Sequence, residues 1–209
     1  MLNIEEIMHS AVVIPVITIN DIEDALPLAE ALLNGGLKTL EITLRTEAAL
    51  EAITLIKQNL PEAIVGAGTV INTTTLTQAI SAGAEFIVSP GMTIELLTAL
   101  KQAAIPVLPG VNTPSEVMRL LEQGISAMKF FPAEAAGGVA MLKALSAPLP
   151  QAIFCPTGGI NPDNARDYLR LSNVACVGGS WMLKPELIAA GDWGAIEKLA
   201  KAAADLTSD

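Results

Sequence analysis

Lys129 and Glu41 are placed where packing alone gives no reason for a charge. Lys129 lies between Met128 and Phe130 in the apolar run AMKFF, and Glu41 between Leu40 and Ile42 in TLEIT. Burying an unpaired ammonium or carboxylate is costly, and the usual relief is neutralisation or a partner. A neutral lysine is the nucleophile that forms a Schiff base with a carbonyl compound, and a carboxylate beside it can serve as the acid/base. The plainer readings are a lysine snorkelling from a sheet edge or a buried ion pair. Such pairs often stabilise a fold no better than apolar packing does, so stability alone explains them poorly. Glu41, Thr43 and Arg45 alternate with Leu40, Ile42 and Leu44. In a strand that spacing puts the polar three on one face. Arg45 has the planar fork that suits a carboxylate, with a salt bridge at the mouth of a barrel as its plainer role.

These residues need elements to hold them. Short β-branched runs begin near Val12, Lys38, Ala63, Phe86, Pro106, Ala127, Ala152 and Val174. Helical patterns fill the intervals between them. Asp21 is a candidate cap for a helix that ends at Gly35-Gly36, with Pro27 expected to kink it. Thr113-Pro114 and Asn161-Pro162 each place a capping residue before a first-turn proline. Strict strand–helix alternation predicts a parallel sheet with helices outside it. Eight near-equal units favour a closed α/β (β/α)8 TIM barrel over an open doubly wound sheet. A short N-terminal helix is expected over the first ten residues and an amphipathic helix at DWGAIEKLAKAAADL. The chain, residues 1–209, reads as a single domain.

A barrel interior is filled mainly by branched apolar side chains, so polar residues in its strands call for a role at its C-terminal mouth. Two further signals fall at that mouth. Thr157-Gly158-Gly159 ends the seventh run and Gly178-Gly179-Ser180 the eighth. Barrels frequently bind phosphate between these loops, where glycines let backbone N–H groups approach the anion.

Composition excludes several classes. A net charge of −10 with four Phe, two Trp and one Tyr disfavours a nucleic-acid binder. A hydrophobic share of 51% is enough for a large core and argues against disorder. The run from Val12 to Ile19 is too short to cross a bilayer, which takes ~20 residues. MLNIEEIMHS holds two Glu and no Lys or Arg, unlike a secretion or transit signal, and the cytoplasm is the expected compartment. Cys155 and Cys176 sit in strand-like runs and are expected as free buried thiols. His9, the one histidine, precedes the first strand and reads as a surface or packing residue. A Ser-His-Asp device is thereby excluded, and the sequence offers no metal-ligand cluster. Gly66-Ala67-Gly68 meets only part of a dinucleotide fingerprint.

Taken in order, LEITLRT (40–46), VGAGTV (65–70), VSPG (88–91), KFFPAE (129–134), FCPTGGI (154–160) and GGSW (178–181) form a specific series. Between about residues 11 and 181 the chain resembles the bacterial 2-keto-3-deoxy-6-phosphogluconate aldolases of the Entner–Doudoroff pathway. The resemblance implies a metal-independent class I aldolase without a cofactor, acting on a phosphorylated 2-keto acid and assembled as a homotrimer. It implies Lys129 as the Schiff-base lysine and Glu41 as the acid/base. Arg45 and Thr69 match the positions that hold the pyruvyl carboxylate, and Pro90 shapes that pocket. Phe131 matches the aromatic beside the imine, and Thr157 a position that reads sugar hydroxyls. Gly158, Gly159, Gly179 and Ser180 match the phosphate site. Family members often cleave 4-hydroxy-2-oxoglutarate as well. NTPSE (112–116) departs from the family's usual STxSE turn beside the fifth strand, which bears on substrate preference rather than on imine chemistry. Three alternatives stay open: an aldolase for the galactonate epimer, a non-covalent phosphate-sugar epimerase or isomerase, and a non-catalytic metabolite-binding trimer.

Overall fold

Each of the eight β-branched runs becomes strand in the computed structural model, which describes residues 2–206. The strands are β1 (Val13–Ile17), β2 (Thr39–Thr43), β3 (Ile64–Gly68), β4 (Phe86–Val88), β5 (Val107–Leu108), β6 (Gly110–Val111), β7 (Ala127–Phe130), β8 (Ile153–Pro156) and β9 (Val177–Gly179). The fifth run is divided at Pro109, which has no N–H to donate to a ladder. β5 pairs with β4 on one side of that proline, and β6 pairs with β7 on the other. The Pro109 carbonyl still accepts from the Lys129 N–H at 2.9 Å. Nine strands therefore replace the eight expected. They lie in two sheets, ordered β5-β4-β3-β2-β1-β9 and β6-β7-β8. Every strand pairing is parallel. Beside β8, isolated parallel bridges join Phe154 to Val174 and Thr157 to Gly178.

The helices α1 (Ile4–His9), α2 (Ala25–Asn34), α3 (Ala49–Asn59), α4 (Thr73–Ser81) and α5 (Ile94–Ala103) precede β5. Those after it are α6 (Pro114–Glu122), α7 (Gly138–Ser146), α8 (Ala165–Leu169), α9 (Pro185–Ala189) and α10 (Trp193–Ala204). Two helix starts differ from expectation. Asp21 caps a 3-10 turn over Ile22–Asp24, accepting from the Glu23 N–H at 3.0 Å, and α2 begins only afterwards. Pro27 thus falls in the first turn of α2 rather than its interior, where its missing N–H leaves no bond unmade. Asn161-Pro162 enters a turn, not the helix itself. The Asn161 side chain accepts from the Asp163 N–H, and its carbonyl accepts from the Ala165 N–H at the start of α8. Thr113-Pro114 opens α6 as expected, with Glu116 closing a capping box. Gly35 ends α2 against α10, where a Cβ would lie 2.4 Å from the Ala200 Cβ.

Period two divides the strand residues between two cores. Leu40, Ile42, Val65, Ala67, Ile87 and Phe130 pack toward the helices. Phe130 meets Phe154 edge-on there, with ring centroids 6.2 Å apart. The opposite faces contribute Ile14, Phe86, Val88, Leu108, Ala127 and Cys155, joined by Cys176 and by Ile7 and Met8 of α1. Both cysteines are free and buried. Cys176 is held well above the usual thiol range by its hydrogen bond with Cys155, then by burial. His9 is exposed, and its Nδ1 lies 2.8 Å from the Glu5 carbonyl. Among the described residues no helix is long and apolar enough to cross a membrane.

Candidate active site

The face that carries Ala127 at one end carries Lys129 two residues further on. Glu41 occupies the matching face of β2, beyond Thr39. Lys129 is 4% exposed and Glu41 3%, and Nζ lies 3.1 Å from Oε1. The structure thus joins two residues 88 positions apart in the sequence. Two glycines make room for them. Gly68 stands under the carboxylate, where a Cβ would be 2.2 Å from Glu41 Oε1. Gly110, the register partner of Lys129, presses on the Pro90 backbone, with a Cβ position 2.3 Å from its carbonyl carbon. The Phe131 ring stands over the ammonium, its centroid 5.3 Å from Nζ. That geometry is a cation–π contact while the lysine is charged.

Arg45 lies beyond the end of β2, in the following turn, and is exposed. Its Nε donates to Thr69 Oγ1 at 3.2 Å. Thr69 has a positive φ of 61°, an uncommon conformation for a β-branched residue. Arg45 and Thr69 are therefore brought together. Ser89, just before Pro90, is fully buried, and its Oγ is the one buried side-chain polar atom without a partner among the described residues.

The glycine-rich turns form the other side. Thr157 is buried, and Gly178 is its bridge partner, with a Cβ position 2.3 Å from Thr157 Oγ1. Gly158 and Gly159 both have positive φ, 101° and 80°, which is why glycine is needed in this turn. The cis peptide between Phe131 and Pro132 leads into two bonds with the same turn. The Ala133 and Glu134 N–H groups donate to the Thr157 and Gly158 carbonyls. A Cβ on Gly158 would be 3.4 Å from the Phe131 ring, so Phe131 links the two sides. Gly179 lies against the Trp181 ring. Ser180 is exposed and opens on a cavity of about 330 Å³ that it shares with Thr18 and Asn20.

Three residues in this region carry no sequence-based expectation. Tyr168 donates to the Glu134 carboxylate behind the Gly158-Gly159 turn. Burial, followed by that carboxylate, raises the Tyr168 hydroxyl well above its ordinary range and keeps it a donor. Thr18 is the third. The period-two series Ile14, Val16, Thr18 was the available signal, but threonine is common in any strand. A larger groove of about 530 Å³ runs between α5 and α6 and includes neither Lys129 nor Glu41.

A parallel α/β fold that buries a lysine beside a carboxylate, with a glycine-rich turn joined to the lysine through the Phe131 ring, is an arrangement suited to aldol chemistry. Comparison with known proteins specifies it. The family model described as KDPG and KHG aldolase matches residues 4–199. The chain belongs to that family, whose members are carbon–carbon lyases. It is 49% identical over 201 residues to the KHG/KDPG aldolase of Escherichia coli (strain K12), covering 96% of this chain and 94% of the relative. A solved KDPG aldolase from Legionella pneumophila, with pyruvate captured as a covalent carbinolamine intermediate, is 48% identical. It superposes with a TM-score of 0.95, over 98% of this chain and 99% of its own. The enzyme of Zymomonas mobilis ZM4, solved with 3-phosphoglycerate, is 47% identical with a TM-score of 0.92, over 98% and 96% of the two chains.

Proposed function

We propose that this chain is a Schiff-base aldolase. It cleaves 2-keto-3-deoxy-6-phosphogluconate to pyruvate and glyceraldehyde 3-phosphate, and 4-hydroxy-2-oxoglutarate to pyruvate and glyoxylate. The observation that carries the reading is the buried contact of 3.1 Å between Lys129 Nζ and Glu41 Oε1. Transfer of one ammonium proton across it yields a neutral amine and a carboxylic acid, the two forms that imine formation requires.

Neutral Lys129 attacks the C2 carbonyl, giving a carbinolamine. The Glu41 acid protonates the departing hydroxyl, and loss of water leaves the iminium. Glu41, now a carboxylate, takes the proton of the C4 hydroxyl, directly or through a water. The C3–C4 bonding pair moves into the iminium, the aldehyde leaves, and an enamine remains. Protonation at C3 and hydrolysis release pyruvate and restore the lysine. The iminium is the electron sink, so this route is metal-independent and needs no cofactor.

Arg45 and Thr69 hold the pyruvyl carboxylate, and Pro90 and Phe131 shape the pocket around the imine. Thr157 reads a sugar hydroxyl. The backbone N–H groups of Gly158, Gly159 and Gly179 and the hydroxyl of Ser180 bind the phosphate. The positive-φ glycine turn and the phosphate-bearing ligand of the Zymomonas relative support that assignment. We read the two sheets as one closed (β/α)8 barrel forming a single domain, with β5 and β6 counted as one strand. The bridges between Thr157 and Gly178 and between Phe154 and Val174 support closure. A homotrimer is the proposed assembly. Ile94 at 86% exposure and Met118 at 51% are supporting evidence, because large apolar side chains this open favour a covering partner. We place the reaction in the cytoplasm, on a small-molecule phosphorylated keto acid, without nucleic-acid or membrane partners.

Borohydride reduction in the presence of pyruvate, followed by peptide mass spectrometry, tests the chemistry. A reduced pyruvyl adduct on the peptide carrying Lys129 is expected. Folded protein without an adduct would sink the imine and favour a non-covalent phosphate-sugar isomerase. Turnover of the gluconate compound against its galactonate epimer then decides the substrate.

A further inference from the structure

We propose that Thr18 is a specificity-determining residue of this site, accepting a hydrogen bond from a hydroxyl on the aldehyde half of the substrate. The proposal rests on the aldolase reading and concerns which aldehyde half the site prefers.

Thr18 follows β1, on the face that carries Ile14 and Val16. Ile14 belongs to the apolar closed end, and Val16 is in register with Glu41. Thr18 is thus one inward-facing position nearer the mouth than the Glu41 level. Its Oγ1 lies 3.0 Å from Thr43 Oγ1. Thr43 in turn donates to the Ile17 carbonyl at 2.9 Å. A hydroxyl has one proton and two lone pairs. We assign the Thr43 proton to the Ile17 carbonyl, its 2.9 Å partner, which makes Thr18 the donor in the Thr18–Thr43 bond. Thr18 is left with lone pairs only.

Thr18 is half-buried and shares with Ser180 the 330 Å³ cavity, which is lined by Val16 at the Glu41 level but by neither Glu41 nor Lys129. It therefore presents to that cavity an acceptor whose polarity is fixed from behind. An acceptor favours a ligand O–H and disfavours an anionic oxygen. The two substrates differ in this respect. The carbon after C4 bears a hydroxyl in 2-keto-3-deoxy-6-phosphogluconate and is a carboxylate in 4-hydroxy-2-oxoglutarate. Thr18 accordingly favours the phosphorylated sugar acid, while Ser180 on the same cavity takes the phosphate.

The test is kcat/KM for both substrates in the parent, Thr18→Val and Thr18→Ser. Valine keeps the shape and removes the acceptor, whereas serine keeps it. The preference for the phosphorylated substrate, taken as the ratio of the two kcat/KM values, should fall about threefold to tenfold in Thr18→Val, the scale of one neutral hydrogen bond. It should be retained in Thr18→Ser. If Thr18→Val does not fold by circular dichroism, Thr18→Ala supplies the same ratio. An unchanged ratio in a folded acceptor-free variant, beside a parent that cleaves both substrates, overturns the Thr18 proposal alone. A parent that cleaves neither overturns the aldolase reading and this inference with it.

Discussion

Along the strand face that carries Lys129, the end covered by α1 (the closed end) and the opposite, open end are built from the same elements in opposite chemistry. At the closed end Ile14, Phe86, Val88, Leu108, Ala127 and Cys155 pack with Ile7 and Met8 of α1. One or two positions along, the same faces carry Glu41, Thr43, Lys129 and Thr157, all buried. Ala127 gives way to Lys129, Cys155 to Thr157, and Ile14 to Thr18 by way of Val16. The backbone pairing is parallel throughout, so pairing does not distinguish the ends. Their side chains do. The closed end gains from apolar burial, while the open end carries a desolvated ion pair, a kind of contact that often stabilises a fold no better than apolar packing does. On the proposed mechanism, one end holds the fold and the other carries the chemistry.

The largest expected effect comes from making the open end resemble the closed one. Lys129→Met should lower kcat/KM at least about ten-thousandfold, the scale seen when a covalent nucleophile is removed. It should also cost about 3–5 kcal/mol of stability, because Glu41 stays buried without its partner. Adding Glu41→Leu should restore most of that stability and none of the activity. Urea unfolding and turnover of the double variant measure both. Recovery of turnover would mean that the pair is not catalytic, and continued instability would mean that it is needed for folding.

A smaller and more local effect is expected at Gly68. Alanine there would place a methyl group 2.2 Å from Glu41 Oε1, so the carboxylate must move. A displacement of about 1 Å costs roughly a hundredfold in rate when orientation is the catalytic contribution. Gly68→Ala should lose turnover on that scale while pyruvate is still trapped on Lys129 by borohydride. Parent-like turnover would show that the position of the Glu41 carboxylate does not limit the reaction.

The closed end was legible as β-branched periodicity, and the chemistry as two charges inside apolar runs. Lys129 and Glu41 could be paired from residue type alone, because each is costly without the other. Other features depend on three-dimensional approach. Gly68 and Gly110 read as ordinary strand glycines until Glu41 and Pro90 are seen against them. Thr18 reads as a common strand residue until the Thr43 proton is accounted for. Pro109 was visible in PVLPG, but its effect, one strand shared between two sheets, depends on the neighbours on either side. Asp21 is a genuine cap, but of a 3-10 turn that delays α2, which moves Pro27 from the expected helix interior into the first turn.

The closed end provides the converse test, with the smallest expected effect on catalysis. Met8 is fully buried against the strand residues of that end. Its helix is fastened independently of it. Asn3 and Glu6 form a capping box, and Glu5 accepts from the Ser126 hydroxyl at 2.7 Å, just before β7. Met8→Ala therefore removes apolar volume without releasing α1, and the cavity it leaves should cost about 2–5 kcal/mol in urea unfolding. The Lys129–Glu41 layer is separated from Met8 by the apolar layer that includes Ala127, so kcat/KM should stay near the parent value. A large loss of turnover in a variant still folded at assay temperature would mean that packing at the closed end sets the position of Lys129. The two ends would then be one mechanical unit, and the division of labour between them would be wrong.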